Sequence, residues 1–359
     1  MALMGMWLKF ARSRASFLTS TSTSSSILCL CKYVPGKTFS TYQRSNGFSR
    51  KKQVFILLAA GIGGGFLYSW SKKLENTYLD HEMKELDELI HFAQESQSNK
   101  SRTEYSIQLY MKALQRVKTL IESEVKSQRR MNILTTKFVY IIDQLANLFN
   151  KTGKLDEAED YYKQTVQALI HHGTAKDDDA IVEISLKLAS IYAQQRRREL
   201  AENGFNWCID TLRQKKHRSQ NFDINSAALL GICLESYGKY QMVEGDPTRA
   251  VLVFTEALDL SRTVFGPNNE QVALSLNNLA VAHNETGSVE YAKELLNEAI
   301  DLAIKVNYVD LWSLHYNLAN VLSQNGELDY AKTEFKKAVE FCQDEDTKKR
   351  IEAELKDVA

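Results

Sequence analysis

Histidines beside carboxylates or beside a second histidine are the residues through which metal or acid–base chemistry would act. "HEMKE", His81–Glu85, begins like the helix of a zinc protease, but Glu85 stands where the second zinc-binding histidine belongs. His171 and His172 precede Gly173, a pattern typical of a helix end, where the helix dipole favours a cation. No local Ser/His/Asp or Cys/His motif accompanies them. The sequence therefore predicts no catalytic residue, no metal site and no enzyme.

Glycines beside apolar residues could instead cradle a nucleotide phosphate. In "GIGGGF", Gly61 and Gly63 occupy the first two positions of a dinucleotide-binding fingerprint, but Phe66 takes the place of its third glycine. "PGKT", Pro35–Thr38, resembles the end of a phosphate-binding loop, yet Cys31 occupies the position of its first glycine. We therefore expect no cofactor and no small-molecule substrate.

The chain has five cysteines, which form no C-x-x-C pair and no zinc-binding spacing: Cys29, Cys31, Cys208, Cys233 and Cys342. Buried or inert thiols are the simplest interpretation.

Charge is distributed unevenly along the chain although the net charge is zero. The first 74 residues contain 11 Lys and Arg and no acidic residue, which leaves 34 basic and 45 acidic residues from Glu75 onward. An acidic body does not suit a nucleic acid, whose binding needs clustered positive charge. Residues 1–50 are rich in Arg, Lys and Ser, a composition typical of a mitochondrial transit peptide.

The apolar segment 53–71 follows this basic head, and we predict that it is a transmembrane helix. Val54–Trp70 is 17 residues long without a charge, near the lower limit for crossing a bilayer, and lysines flank it on both sides. Tyr68 and Trp70 suit the membrane interface. Gly61 and Gly65 form a G-x-x-x-G pair. This pair either contacts a second membrane helix or weakens the span for an intramembrane protease.

From about residue 75 the chain reads as helical throughout, and five segments share one pattern. The second helix of each segment carries an alanine: Ala158, Ala201, Ala250, Ala292 and Ala331. Four residues after each alanine comes a large side chain: Tyr162, Phe205, Phe254, Leu296 and Phe335. Small residues allow two antiparallel helices to cross closely, and large ones fill the space between repeats. A glycine in four of the five segments ends the first helix in a left-handed turn.

This pattern resembles the tetratricopeptide repeat family, with spacings of 39 to 49 residues that are similar to the long repeats of kinesin light chains. The resemblance implies an all-α superhelix of about five to six helix–turn–helix repeats. We place the repeats at 131–345, a degenerate helical segment at 75–130 and a polar capping helix at 346–359. Stacked repeats share one core, since no repeat buries its apolar face alone.

Repeats of this family bind peptides or protein surfaces along the face made by their first helices. The polar residues predicted on that face are Gln144, Asn147, Lys187, Asn277, Asn278, Asn317 and Asn320. An amide suits a peptide groove because it both donates to and accepts from an extended backbone. Members that clamp acidic tails use Lys and Arg there. Asp143 and Glu235 at two of those positions argue against such a client.

A transit peptide, one glycine-rich span and long repeats together resemble mitochondrial inner-membrane members of the family. That resemblance implies a single-pass protein that supports the assembly or maintenance of respiratory complex III, the cytochrome bc1 complex, near its Rieske iron–sulfur subunit. The sequence leaves the side of the membrane open, intermembrane space or matrix. The alternatives are a kinesin-light-chain-like cargo adaptor and an organelle-surface receptor that binds peptides.

Overall fold

The computed structural model describes residues 64–97, 102–123, 127–218 and 223–358. Within these ranges the chain forms thirteen α-helices and no strand. They are α1 Gly64–Gln97, α2 Thr103–Ser123, α3 Gln128–Lys151, α4 Leu155–His171, α5 Asp179–Gln194, α6 Arg198–Arg218, α7 Ile224–Glu244, α8 Pro247–Phe265, α9 Glu270–Glu285, α10 Val289–Lys305, α11 Leu311–Gln324, α12 Leu328–Phe341 and α13 Glu345–Asp357. The all-α prediction is confirmed.

The predicted transit peptide, 1–50, lies outside the described residues, as does the part 53–63 of the predicted membrane span. Residues 64–71 open α1, which continues without a break to Gln97. Across the described ranges, no helix has the length and apolar character that a bilayer crossing requires.

The chain divides into two compact units, one ending at Leu148 and the other beginning at Phe149. In the first unit α1 packs on α2. Tyr110 and Ala113, which are in the repeat frame, are fully buried together with Leu86 and Ala93. Ser106 lies inside the same contact and donates its hydroxyl to the Ala93 carbonyl at 2.8 Å. The degenerate segment is therefore a packed helical pair.

In the second unit each helix packs on the next, so that α5/α6, α7/α8, α9/α10 and α11/α12 form successive pairs. Side-chain caps fix where several helices begin. The carboxylate of Asp223 accepts from the Asn225 and Ser226 amides, and that of Asp246 accepts from the Arg249 amide. Pro247 occupies the first turn of α8, where its missing N–H costs nothing.

The turn between the two helices of a pair is left-handed in every repeat. Four repeats use glycine there: Gly153, Gly245, Gly287 and Gly326, with φ between 76° and 83°. This confirms the predicted helix ends, because glycine has no Cβ to clash in this conformation. The α5–α6 turn differs, since Arg196 adopts φ 58° at the equivalent position.

Replacing Arg196 by glycine is expected to stabilise the second unit by about 0.5–1 kcal/mol, because the left-handed conformation penalises a side chain more than the entropy of glycine costs. Arg196 is exposed, so little packing is lost. Thermal or chemical unfolding measures the change. As the converse control, Gly287→Ala should destabilise by about 1 kcal/mol through backbone strain, since an added Cβ there meets nothing within 4 Å. A neutral or destabilising Arg196→Gly would contradict the argument.

The predicted alanines and large side chains lie in the core of the repeats. The alanines Ala158, Ala201, Ala250, Ala292 and Ala331 are fully buried, and their large partners are at most 2% exposed. The third repeat has Gly238 on its first helix, where the others have alanine. A Cβ at Gly238 would lie 2.4 Å from the Phe254 ring, so this ring packs directly on the glycine backbone.

Helix α13 closes the end of the array. Its buried Ile351 joins Ala319, Phe335, Ala338 and Cys342 in one apolar cluster. The remaining surface of α13 is largely polar.

Candidate functional site

The first helices α5, α7, α9 and α11 are neighbours in series within the second unit. Each has a stripe of partly exposed residues at helical spacing, and together these stripes form what we call the first-helix face. The stripes are Glu183, Lys187 and Ser190 on α5, Ile232, Ser236 and Lys239 on α7, Leu274, Asn278 and Val281 on α9, and Ser313, Asn317 and Asn320 on α11. The face mixes amides, hydroxyls and lysines with a few apolar side chains.

Two predicted asparagines bind each other instead of standing separately on this face. Asn317 donates its amide to the side-chain oxygen of Asn277 at 2.7 Å, across two successive repeats. Asn277 is only 8% exposed. Tyr316, four residues before Asn320 on α11, donates its hydroxyl to Glu354 of the capping helix at 3.1 Å. The Asn277–Asn317 pair therefore links two successive repeats.

Asn278, one of the predicted residues, has a side-chain hydrogen-bond donor without an acceptor among the described residues. Its side-chain nitrogen is shielded from solvent and has no hydrogen-bond acceptor within the described part of the chain. A buried donor without an acceptor costs about 1–3 kcal/mol. Buried polar groups are nearly always paired, so an exception calls for an explanation such as a ligand.

Lys187 is held in place by neighbouring side chains. Its ammonium lies 3.0 Å from the Glu183 carboxylate and 5.7 Å from the centre of the Tyr162 ring. The pairing with Glu183 reduces the local positive charge, which agrees with the prediction that this face does not clamp acidic tails.

The other predicted positions lie in the first unit or outside the described residues. Gln144 accepts a hydrogen bond from Gln97 at 3.2 Å, and Asn147 donates to both the carbonyl and the carboxylate of Asp143. Gly65 lies in the first turn of α1, whereas Gly61 falls outside the described residues.

Glu235 is the polar residue whose position sequence reasoning missed. The repeat frame placed it on the binding face, but the structure buries it at 5% exposure between α7 and α9. Its carboxylate accepts from Gln271 at 2.7 Å and Ser275 at 3.0 Å. Burial raises the pKa of Glu235, although Lys239 and the two hydrogen bonds oppose the shift. Each donor comes from the next repeat, which one repeat's sequence does not reveal.

Replacing Glu235 by glutamine is expected to raise the melting temperature more at pH 8 than at pH 5. The pKa of Glu235 is higher in the folded chain than in the unfolded chain. The neutral Glu235 side chain therefore contributes its full stabilisation when the pH is below the pKa that Glu235 has in the unfolded chain. This contribution is lost as the pH rises through the pKa of Glu235 in the folded chain. Melting curves across this range provide the measurement. A variant that loses the same stability at both pH values would show that the ionised carboxylate is needed.

The carboxylates of the His81–Glu85 segment pair with an arginine of the neighbouring helix. His81, Glu82 and Glu85 bring their ligand atoms within 4.8 Å of one another. However, the guanidinium of Arg116 lies 2.9 Å from Glu82 and also pairs with Glu85. A guanidinium satisfies both carboxylates, so the arrangement is an ion-pair cluster between α1 and α2.

Comparison with known proteins identifies the repeats. Two sequence models of the tetratricopeptide repeat match the chain, one at residues 272–307 and the other at residues 313–345. The human protein named tetratricopeptide repeat protein 19, mitochondrial, is 33% identical over 232 residues, which is 61% of each chain. The Drosophila melanogaster protein named tetratricopeptide repeat protein 19 homolog, mitochondrial, is 28% identical over 163 residues, 45% of this chain and 44% of the relative. The chain thus spans about three fifths of its human relative, and the predicted family resemblance is confirmed.

Two solved structures share the fold. The crystal structure of BtubC (BKLC) from P. vanneervenii has a TM-score of 0.52 and 19% identity, covering 71% of this chain and 92% of that one. The apo form of RapI has a TM-score of 0.55 and 15% identity, covering 80% of this chain and 78% of that one. Identities this low speak for the fold alone.

Proposed function

We propose that this protein is a non-enzymatic, protein-binding scaffold. It carries tetratricopeptide repeats and is similar to mitochondrial proteins named tetratricopeptide repeat protein 19. The scaffold acts at the mitochondrial inner membrane. Its client is respiratory complex III, the cytochrome bc1 complex, whose assembly or maintenance it supports near the Rieske iron–sulfur subunit.

The observation that carries the binding role is the first-helix face with its unpaired amide. Four first helices in series offer a surface longer than any single repeat could provide. Asn278 lies on this face with a donor that lacks an acceptor. In the proposed complex the Asn278 side chain turns outward and donates to a backbone carbonyl of an extended client segment. The unmet hydrogen bond of the free protein then becomes part of the binding energy.

The choice of complex III rests on the resemblance to the mitochondrial relatives. The charge of the first-helix face is compatible with this client. Lys187 is paired with Glu183. The described residues of α5, α7, α9 and α11 form no cationic clamp for an acidic tail. A client recognised through its backbone and neutral side chains fits this surface.

The anchor in this proposal is the segment 53–71, preceded by a cleaved transit peptide at 1–50. Its uncharged run and flanking lysines are the features that favour a membrane span. Gly61 and Gly65 then contact a helix of a membrane partner. The anchor holds the repeats beside a client in the same membrane, which raises the effective concentration of the binding face.

Protease treatment of mitochondria that have imported the protein tests its placement. We expect the repeats to resist the protease in intact mitochondria and to remain in the membrane fraction after carbonate extraction. Rupture of the outer membrane then distinguishes repeats in the intermembrane space, which become digestible, from repeats in the matrix. Complete digestion in intact mitochondria would eliminate the proposed role in complex III assembly.

A further inference from the structure

In the first unit, α1 contacts α3 along one of its sides. Asp80 and Asp87 are seven residues apart on α1, and each forms an ion pair with a basic residue of α3. Gln94, seven residues further along, donates to the Tyr140 hydroxyl of α3 at 2.6 Å. Residues at this spacing lie along one side of an α-helix. Leu89, two residues after Asp87, is rotated from that side by about 200°.

The side of α1 that carries Leu89 forms an open groove with α2. The groove has a volume of about 660 Å³, and its lining includes Glu88, Leu89 and Phe92 from α1 and Lys112 and Arg116 from α2. Phe92 is 53% exposed. A large aromatic side chain is therefore open to solvent in the single chain, between walls that carry charged residues.

The two walls of this groove have opposite charge at the same level. α1 and α2 are antiparallel, since Arg116 pairs with Glu85 while Ser106, ten residues before Arg116, bonds to Ala93. Lys112, about one turn before Arg116, therefore lies level with Glu88, about one turn after Glu85. Glu88 and Lys112 are both exposed.

We propose that this groove is the contact between two copies of the chain, related by a two-fold axis that runs along the groove. Such an axis exchanges the two walls, so that α1 of each copy faces α2 of the other. Glu88 of one copy then faces Lys112 of the other, and symmetry forms the same pair a second time. Leu89 and Phe92 fill the centre of the contact. An axis across the groove would instead place the two acidic walls against each other, which like charges oppose.

The direction of α1 favours the same axis. Two copies related by an axis along the groove keep their α1 helices parallel, so both helices begin at the same end of the dimer. α1 continues directly from the predicted membrane span 53–71, and parallel α1 helices allow both spans to enter one membrane. This second point rests on the anchor in the proposed function, whereas the charges of the groove do not.

Two charge reversals test the arrangement by sedimentation of the full chain purified in detergent. We expect the unaltered chain to be a dimer. Lys112→Glu and Glu88→Lys each place two pairs of like charges opposite each other, so each variant should raise the dimer dissociation constant at least about tenfold. In a mixture of the two variants, every facing pair is again of opposite charge. The mixture should therefore form a heterodimer, detected with a different tag on each variant.

Lys118→Glu is the matched control, because it makes the same change of charge on α2 outside the groove. Lys118 is exposed and turned toward α3, where its ammonium lies 6.0 Å from the centre of the Phe138 ring. This variant should remain a dimer. All three altered positions are exposed, so each variant should keep the helical content of the unaltered chain by circular dichroism.

An unaltered chain that stays monomeric at the highest soluble concentration would overturn the proposal. Single reversals that dimerise like the unaltered chain would also overturn it, as would a mixture that forms no heterodimer. Amine-reactive crosslinks from Lys112 to a different protein, in place of a second copy, would assign the groove to that partner. None of these results involves complex III, so a failure here leaves the proposed client to its own tests.

Discussion

Replacing Phe205 by alanine is expected to lower the free energy of unfolding by about 3–5 kcal/mol, the usual cost of removing a buried aromatic ring. Phe205 is 2% exposed, and its ring centre lies 5.8 Å from that of Tyr237 and 5.3 Å from that of Tyr240. Both tyrosines belong to the next repeat, so the substitution empties the contact through which the second and third repeats stabilise each other. The melting temperature should fall by about 6–20 °C.

Trp207→Ala is the matched control for this experiment. Trp207 lies two residues further along α6 and is 41% exposed, so removal of its larger ring leaves no closed cavity. We expect a loss of less than about 1 kcal/mol. Equal destabilisation by the two variants would contradict the claim that Phe205 couples two repeats, as would a Phe205→Ala loss as small as the control.

Replacing Asn278 by aspartate is expected to weaken client binding by about 10- to 100-fold. The change preserves the size of the side chain but removes its N–H donor and adds a negative charge. A client carbonyl that accepts from Asn278 would then face a carboxylate. The yield of client recovered on the variant from solubilised inner membranes, titrated against the unaltered protein, measures the loss.

Asn268→Asp provides the same chemical change away from the first-helix face. Asn268 is exposed in the α8–α9 loop and accepts from Lys305 at 3.1 Å, a bond that a carboxylate keeps. Its client recovery and its melting curve should equal those of the unaltered protein. Equal recovery on Asn278→Asp and Asn268→Asp would remove Asn278 from the binding face.

The helical pairs, their glycine turns and their alanine crossings follow from the sequence because each depends on residues within one repeat. Gly287 illustrates this, since a left-handed turn after a helical run needs no distant contact. Arg196 shows the limit, because an arginine at that turn gives no local signal. The turn forms there because the packing of α5 and α6 on their neighbours outweighs the strain.

Contacts between repeats were not predictable in the same way. The sequence placed Glu235 and Asn277 on the binding face. In the structure, Glu235 is buried and accepts from Gln271 of the next repeat, and Asn277 accepts from Asn317 of the next repeat. The angle and register between successive helices determine these pairs, and both arise from the packing of the whole array.

Crosslinking from the first-helix face in intact mitochondria tests the scaffold role most directly. Lys239 is exposed on α7 and provides an amine on that face. After amine-reactive crosslinking, purification and peptide mapping, we expect Lys239 linked to complex III subunits, with the Rieske protein among them, and a loss of these links in Asn278→Asp. Reproducible links from Lys239 to other proteins, with complex III subunits absent, would contradict the proposed client.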